Sequence, residues 1–144
     1  MSSPTIGVEE EFLLVDPESG SPRMCNAEVA TAGLALDIDL QLELARCQIE
    51  TATPVCATIP DLCHELHRAR SSAAAAAAQT GAGLLAAAVP VAGPTPRTIT
   101  DRPRYRRLAD NFGSLAEHVI CGCHVHIGSS PWTWCTDRCV IPRR

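Results

Sequence analysis

The sequence predicts an α+β fold in which a mostly antiparallel sheet carries helices on one face. Several segments alternate apolar and polar side chains with a period of two, which is typical of strands with one buried face. One long segment instead repeats apolar residues at helical spacing and begins with capping residues. The chain has 144 residues, enough for one domain with one core. The apolar faces of the strands therefore need helices to cover them.

The first predicted strand, residues 5–15, carries three consecutive glutamates among apolar side chains. Residues i and i+2 of a strand share a face, so Glu9 and Glu11 point to one side, about 7 Å apart. Glu10 points to the apolar side, where we expect a structural role or a salt bridge. Carboxylates are rarely buried without a partner. The outward pair therefore indicates a site for hard divalent cations, or else an edge strand whose charges oppose aggregation.

Two further strands are predicted at 36–44 and 47–53. Leucine and isoleucine alternate with acidic and amide side chains through the first of them, which indicates a half-buried strand. Glu43 and Glu50 are seven positions apart, so one regular strand would place them on opposite faces. A turn or bulge near Arg46 would let both carboxylates point to the same face.

A long helix is predicted at 59–80. Thr58 is a capping residue, an acidic residue follows three positions later, and a run of alanines favours the helical conformation. The remaining elements are a helix at 104–117 and strands at 84–91 and 118–128.

Side chains that suit hard cations recur on four segments of the predicted sheet. The last strand contributes two histidines two positions apart, which therefore share a face. Several carboxylates with one or two imidazoles can hold divalent metals around a polyphosphate, as a nucleotide-dependent transferase or ligase needs. The candidates are Glu9, Glu11, Glu43, Glu50, His124 and His126.

Composition argues against several classes of protein. The net charge of −4 argues against a general nucleic-acid binder, and no segment reaches the roughly 18 apolar residues of a membrane span. The amino terminus turns acidic almost at once, unlike a secretory signal. We therefore expect a cytoplasmic protein whose eight cysteines stay reduced and mostly fill core positions.

Four segments resemble motifs of the carboxylate–amine ligase family, the bacterial type-2 glutamate–cysteine ligases. In order, they are Gly-Val-Glu-Glu-Glu-Phe at 7–12, Gln-Ile-Glu-Thr-Ala-Thr-Pro-Val-Cys at 48–56, Arg-Tyr at 104–105 and Cys-Gly-Cys-His-Val-His-Ile-Gly at 121–128. The resemblance implies a glutamine-synthetase-like catalytic fold. It also implies an ATP-dependent ligase that phosphorylates the γ-carboxylate of glutamate and joins it to the amine of cysteine, yielding γ-glutamylcysteine, ADP and phosphate. Another amine as substrate would give the corresponding γ-glutamyl amide.

The resemblance further implies cofactors, partners and roles for individual residues. The cofactors would be ATP and Mg²⁺ or Mn²⁺, and the partners would be small-molecule substrates, without nucleic acid or membrane; a homo-oligomer is compatible with it. Glu11 and Glu50 would be catalytic, and Arg104 and His126 would contact the nucleotide. The implied metal ligands are Glu9, Glu11, Glu43, Glu50 and His124.

The resemblance ends at residue 128. Residues 129–144 have no clear period and hold both tryptophans of the chain, so we expect an aberrant, frame-shifted tail that packs poorly. Residues 1–128 would then be an incomplete, N-terminal portion of a catalytic domain. On this interpretation the chain has little or no ligase activity.

Two alternative functions remain open at this point. One is an inactive remnant of such an enzyme. The other is a small zinc-binding module, because zinc favours cysteine and histidine ligands. Its spacing matches no standard zinc pattern, however, and a regular strand would point its first two cysteines away from its histidines. The module would use Cys121, Cys123, His124, His126, Cys135 and Cys139.

Overall fold

A computed structural model describes residues 3–93 and 98–128, which form an α+β fold around an antiparallel sheet of five strands. The elements, in chain order, are β1 (Thr5–Val15), α1 (Asn26–Leu34), β2 (Gln41–Leu42), β3 (Gln48–Ala52), α2 (Ile59–Gln79), β4 (Gly83–Leu85), α3 (Pro103–Phe112), a 3₁₀ helix (Gly113–Glu117) and β5 (Cys123–Gly128). Strand β3 pairs with one edge of β1 and with β2, while β4 and β5 follow one another along the other edge of β1. The predicted fold class is confirmed.

The central strand β1 buries one face under helices. The side chains buried there are those of Val8, Glu10, Phe12 and Leu14, as the period-two pattern predicts. Helices α1 and α2 pack against each other and over this face, so their small side chains complete the core. The fully buried alanines of α2 in this core are Ala73, Ala76 and Ala77.

The opposite face of β1 divides into a polar and an apolar part. Glu9 and Glu11 occupy the polar part. Further along the same face, Leu13 and Val15 pack into a second, smaller core. Its other buried members are Ala45, Cys47, Val119 and Cys121. The carboxylates therefore lie beside a packed region rather than on an entirely open sheet.

Helix α2 begins where the capping pattern predicts. The backbone N–H of Asp61 donates to the Thr58 hydroxyl oxygen over 3.2 Å, which satisfies one of the free donors of the first turn. The helix ends before Gly81, whose φ of 72° is a left-handed conformation that glycine adopts without steric cost. The prediction of a helix at 59–80 is confirmed.

The prediction of a strand at 36–44 is wrong, because only β2 is extended there. The sequence also gave no indication of α1, whose end turns back through N–H groups of Leu36 and Ile38 that donate to the Gly33 carbonyl. Asp37 then has a φ of 54°, which is incompatible with a strand. The alternation of apolar and polar residues arises because Ile38 and Leu40 are buried against the helices. Leu40 packs closely on Gly33 of α1, where a Cβ would lie only 2.9 Å from the Leu40 side chain.

Three other predicted elements are longer than the strands or helices observed there. The strand predicted at 84–91 is shortened to β4, since β5 occupies the rest of the same β1 edge. The predicted strand 118–128 is regular only in β5. Cys121 packs beside Leu13 on the carboxylate side, whereas Cys123 lies opposite Glu10, so the alternation breaks between the two cysteines. The helix predicted at 104–117 changes to 3₁₀ geometry at Gly113.

The predicted tail at 129–144 lies outside the described residues. Within the described ranges, none of the helices has both the length and the apolar character needed to cross a membrane.

Candidate metal centre

Three carboxylates converge on the polar face of β1. The side chains of Glu11, Glu43 and Glu50 each place an oxygen within 4.8 Å of the others, and all three are partly buried. Glu11 and Glu50 are paired positions of β1 and β3 and therefore share a face. Glu43 reaches the same face because the chain turns at Arg46, where the N–H of Gln48 donates to the Ala45 carbonyl over 3.0 Å. The predicted turn between the two carboxylates is confirmed.

The position of Glu43 depends on contacts that the sequence did not reveal. The hydroxyl of Tyr105, on α3, donates to the Leu42 carbonyl, and the hydroxyl of Thr100 donates to the carbonyl of Glu43 itself. Thr100 is buried, and its hydroxyl accepts a hydrogen bond of 2.9 Å from the Asn26 amide. Tyr105 belongs to the Arg-Tyr motif at 104–105, so the sequence did mark this segment as functional. A role was predicted for the neighbouring Arg104 and none for Tyr105.

The carboxyl group of Glu43 holds its proton unusually well. Burial raises its pKa to about 7, and the neighbouring Glu50 and Glu11 act in the same direction, while the backbone N–H of Leu44 opposes them. Like charges at such short separation cannot all ionise without cost. The cluster therefore needs either a proton or a cation to compensate its charge.

A second group of ligand types lies beside these three carboxylates. Oε2 of Glu9 lies 3.0 Å from Nε2 of His126 and 3.7 Å from Nδ1 of His124. Glu9 pairs with His124 across β1 and β5, so this group shares the face of Glu11. The side chains are exposed by 39% for Glu9, 58% for His124 and 59% for His126. The predicted ligands thus form a carboxylate triad with an adjoining carboxylate–imidazole group, and their metal-binding role stays a prediction.

The carboxylate triad suits a hard divalent cation. An all-oxygen set of ligands is what Mg²⁺ and Mn²⁺ prefer. Within residues 3–93 and 98–128, the triad is the single group of three or more potential ligand residues with such mutual distances. The ion pairs that link residues of these ranges involve none of the three carboxylates. The donor set therefore fits a bound Mg²⁺ or Mn²⁺.

The described residues do not assemble the zinc ligands of the alternative module. Cys121 is buried in the second core, and burial raises the pKa of its thiol. Cys123 is exposed, opposite Glu10. Cys135 and Cys139 lie outside the described residues. Among the parts of the chain that the structure describes, cysteines and histidines form no group of three or more potential ligands.

Arg104, the predicted nucleotide contact, is exposed on α3. Its guanidinium carbon lies 5.8 Å from the centre of the Tyr105 ring. His126, the other predicted contact, is engaged with Glu9. A role of either side chain in nucleotide binding stays a prediction.

Comparisons with known proteins agree on one family. Residues 5–130 match the family model described as glutamate–cysteine ligase family 2. A protein of Mycobacterium sp. (strain KMS) named "Putative glutamate--cysteine ligase 2-2" is 53% identical over 125 residues, which are 86% of this chain and 34% of that protein. A protein of Nocardia farcinica (strain IFM 10152) named "Putative glutamate--cysteine ligase 2-1" is 50% identical over 128 residues, which are 88% of this chain and 33% of that protein.

A solved structure is similar in fold. The crystal structure of a bifunctional glutathione synthetase from Pasteurella multocida matches with a TM-score of 0.56 and 16% identity. The match covers 89% of this chain and 17% of that one. At this identity the likeness concerns the fold alone.

Proposed function

This chain belongs to glutamate–cysteine ligase family 2, and from that premise we propose that it supplies the cation-binding face of an ATP-dependent carboxylate–amine ligase. The reaction would join the γ-carboxylate of glutamate to the amine of cysteine and release ADP and phosphate. The chain spans about a third of the length of the curated relatives that it matches. The complete reaction, its substrates and its nucleotide therefore belong to the proposal.

The observation that carries the proposal is the triad of Glu11, Glu43 and Glu50. ATP and glutamate bring several negative charges together, and their repulsion opposes phosphoryl transfer. A divalent cation, when bound, neutralises part of this charge and orients the phosphate oxygens. The three carboxylates would hold that cation on the open face of the sheet, and Glu43 would release its proton as the cation binds.

The adjoining group of Glu9, His124 and His126 extends the same face. A carboxylate flanked by two imidazoles can hold a second divalent cation or meet a phosphate when the imidazoles are protonated. Arg104 would bring a guanidinium group, which matches the geometry of phosphate oxygens. These roles are part of the proposal.

Binding of Mn²⁺ to the 144-residue chain tests the proposal. The free ion can be titrated by electron paramagnetic resonance. We expect a triad site that Glu11→Gln and Glu50→Gln each weaken at least about 10-fold, because each removes a charged ligand. The matched control is Glu28→Gln, which makes the same chemical change at an exposed position of α1.

Two results would contradict the proposal. The first is a wild-type chain that binds no Mn²⁺ at millimolar concentration. The second is equal affinity in the two triad variants and in the control.

A further inference from the structure

We infer that Gly122 is a positioning residue of the candidate metal centre, which holds the carboxylate of Glu11 through its main chain and leaves room for the imidazole of His124. The inference rests on the proposed function where it concerns cation binding. The hydrogen bonds of Gly122 to Glu11 and the space beside the His124 ring do not depend on the proposed function.

Both main-chain groups of Gly122 bond to Glu11. The Gly122 N–H donates to Oε2 of Glu11 over 2.9 Å, and the Glu11 N–H donates to the Gly122 carbonyl over 3.0 Å. The second bond fixes the backbone from which the side chain projects, and the first fixes the end of that side chain. A hydrogen bond to a charged carboxylate is among the stronger ones in proteins. A carboxylate has further acceptor positions, so Glu11 can still offer oxygen to a cation.

The missing side chain of Gly122 makes room for His124. A Cβ placed on Gly122 would lie 3.1 Å from Nε2 and 3.4 Å from Cε1 of the His124 ring. Real Cβ contacts are rarely as short as 3.1 Å, so the ring would have to move by a few tenths of an ångström. Any larger side chain would displace it further.

Gly122 is itself held in place by the residues before it. The Gln48 side-chain amide donates to the Ile120 carbonyl over 2.9 Å and contacts the sulfur of Cys121 at 3.3 Å. The Cys121 N–H donates to the Ala88 carbonyl over 2.9 Å. Gln48 is buried on β3, two residues before Glu50. The strand that carries one triad carboxylate thus anchors the segment that orients another.

Gly122 therefore bonds to one triad carboxylate and lies beside the His124 ring of the group around Glu9. Alanine at this position would keep both main-chain bonds to Glu11. Its φ is not in the left-handed region, so the substitution brings no backbone strain. The three heavy atoms nearest to the added methyl group all belong to the His124 ring, so the variant tests the positioning of His124 while the bonds to Glu11 stay in place.

The experiment measures Mn²⁺ affinity of the 144-residue Gly122→Ala chain by electron paramagnetic resonance. We take His124 as a further ligand of the cation that the triad holds, so we expect a Kd about 10-fold weaker than in the wild type, the size typical of changes to groups that orient metal ligands. We also expect a shifted imidazole Cε1–H proton resonance of His124 in the metal-free protein. The melting temperature should stay within about 3 °C, since the substitution adds one methyl group and keeps both main-chain bonds to Glu11.

The matched control is Gly7→Ala on β1, where a Cβ would make only an ordinary contact of 3.8 Å with Thr53. It should bind Mn²⁺ as the wild type does. A second comparison combines Gly122→Ala with His124→Ala. If the methyl group acts through the ring, it should weaken binding no further once the ring is gone.

The outcomes separate this inference from the proposed function. Wild-type affinity together with an unmoved His124 resonance in Gly122→Ala would overturn the inference. An equal loss with and without His124 would overturn it as well. If the wild type binds no Mn²⁺, the proposed function fails, and the His124 resonance still decides whether Gly122 positions the ring.

Discussion

At the scale of single residues, the raised pKa of Glu43 makes the stability of the metal-free protein depend on pH. The pKa is about 7 in the folded chain and 4.5 for an ordinary glutamate. The folded state keeps its proton while the unfolded state loses it, so stability falls as the pH rises from about 4.5 to about 7. Burial is the first cause of this shift and the neighbouring carboxylates the second.

We therefore expect Glu43→Gln to stabilise the metal-free protein at pH 8 by about 2 kcal/mol, after allowance for the partial exposure of the side chain. The gain should be smaller at pH 5. Urea unfolding in the presence of a chelator measures both values. Because the same substitution removes a predicted ligand, Mg²⁺ should stabilise the wild type and not the variant. A variant no more stable than the wild type at pH 8 would show that burial and the neighbouring carboxylates do not destabilise the ionised form of Glu43.

At the scale of elements, an ion pair joins α2 to β1. Nε and Nη2 of Arg70 donate to the two carboxylate oxygens of Glu10 over 2.8 and 2.6 Å. The side chain of Glu10 is only 9% exposed, whereas that of Arg70 is 49% exposed. The expected salt-bridge role of Glu10 is confirmed. The pair holds the acidic strand against the helix, so that Glu9 and Glu11 project from the other face.

We expect Arg70→Ala to cost about 2–3 kcal/mol of stability, because it leaves a buried carboxylate without its partner. The control is Arg68→Ala, two residues away on the same helix. Arg68 pairs at 2.9 Å with Glu65, whose side chain is 23% exposed and so keeps more contact with water than Glu10, and its loss should cost less than about 1 kcal/mol. Chemical denaturation of both variants makes the comparison. Equal losses would mean that the pair with Glu10 is worth no more than a surface ion pair.

At the scale of the whole molecule, the polar face is open to water. The side chains of Glu9, His124 and His126 are all more than a third exposed. Efficient ligases exclude water from a reactive acyl phosphate, since water would hydrolyse it. A face open to water can therefore bind a cation, but it leaves a reactive acyl phosphate exposed to hydrolysis.

We accordingly expect the 144-residue chain to bind divalent cations yet to release little ADP in a coupled assay with glutamate, cysteine, ATP and Mg²⁺. Omitting each amino acid in turn supplies the control for uncoupled hydrolysis. Turnover of about 1 s⁻¹ or more, which is ordinary for an enzyme, would contradict this expectation if it required both amino acids.

Sequence reasoning succeeded where periodicity and burial coincide. It predicted which side chains of β1 face the helices, the capped start of α2, and the turn that brings Glu43 to the face of Glu50. It failed at residues 36–44, because alternating burial there comes from an irregular segment packed against α1 rather than from a strand. A period reports which side chains are buried and not which backbone conformation buries them.

The sequence by itself determined the central acidic strand, its two faces and the long alanine-rich helix, since neighbouring residues encode these features through strand and helix periods. Only the tertiary structure decided how the candidate centre is held together. Gly122 meets Glu11 across 111 positions of the chain, and Tyr105 meets Leu42 across 63. Contacts between such distant residues leave no local period in the sequence, because they depend on how complete elements pack against one another.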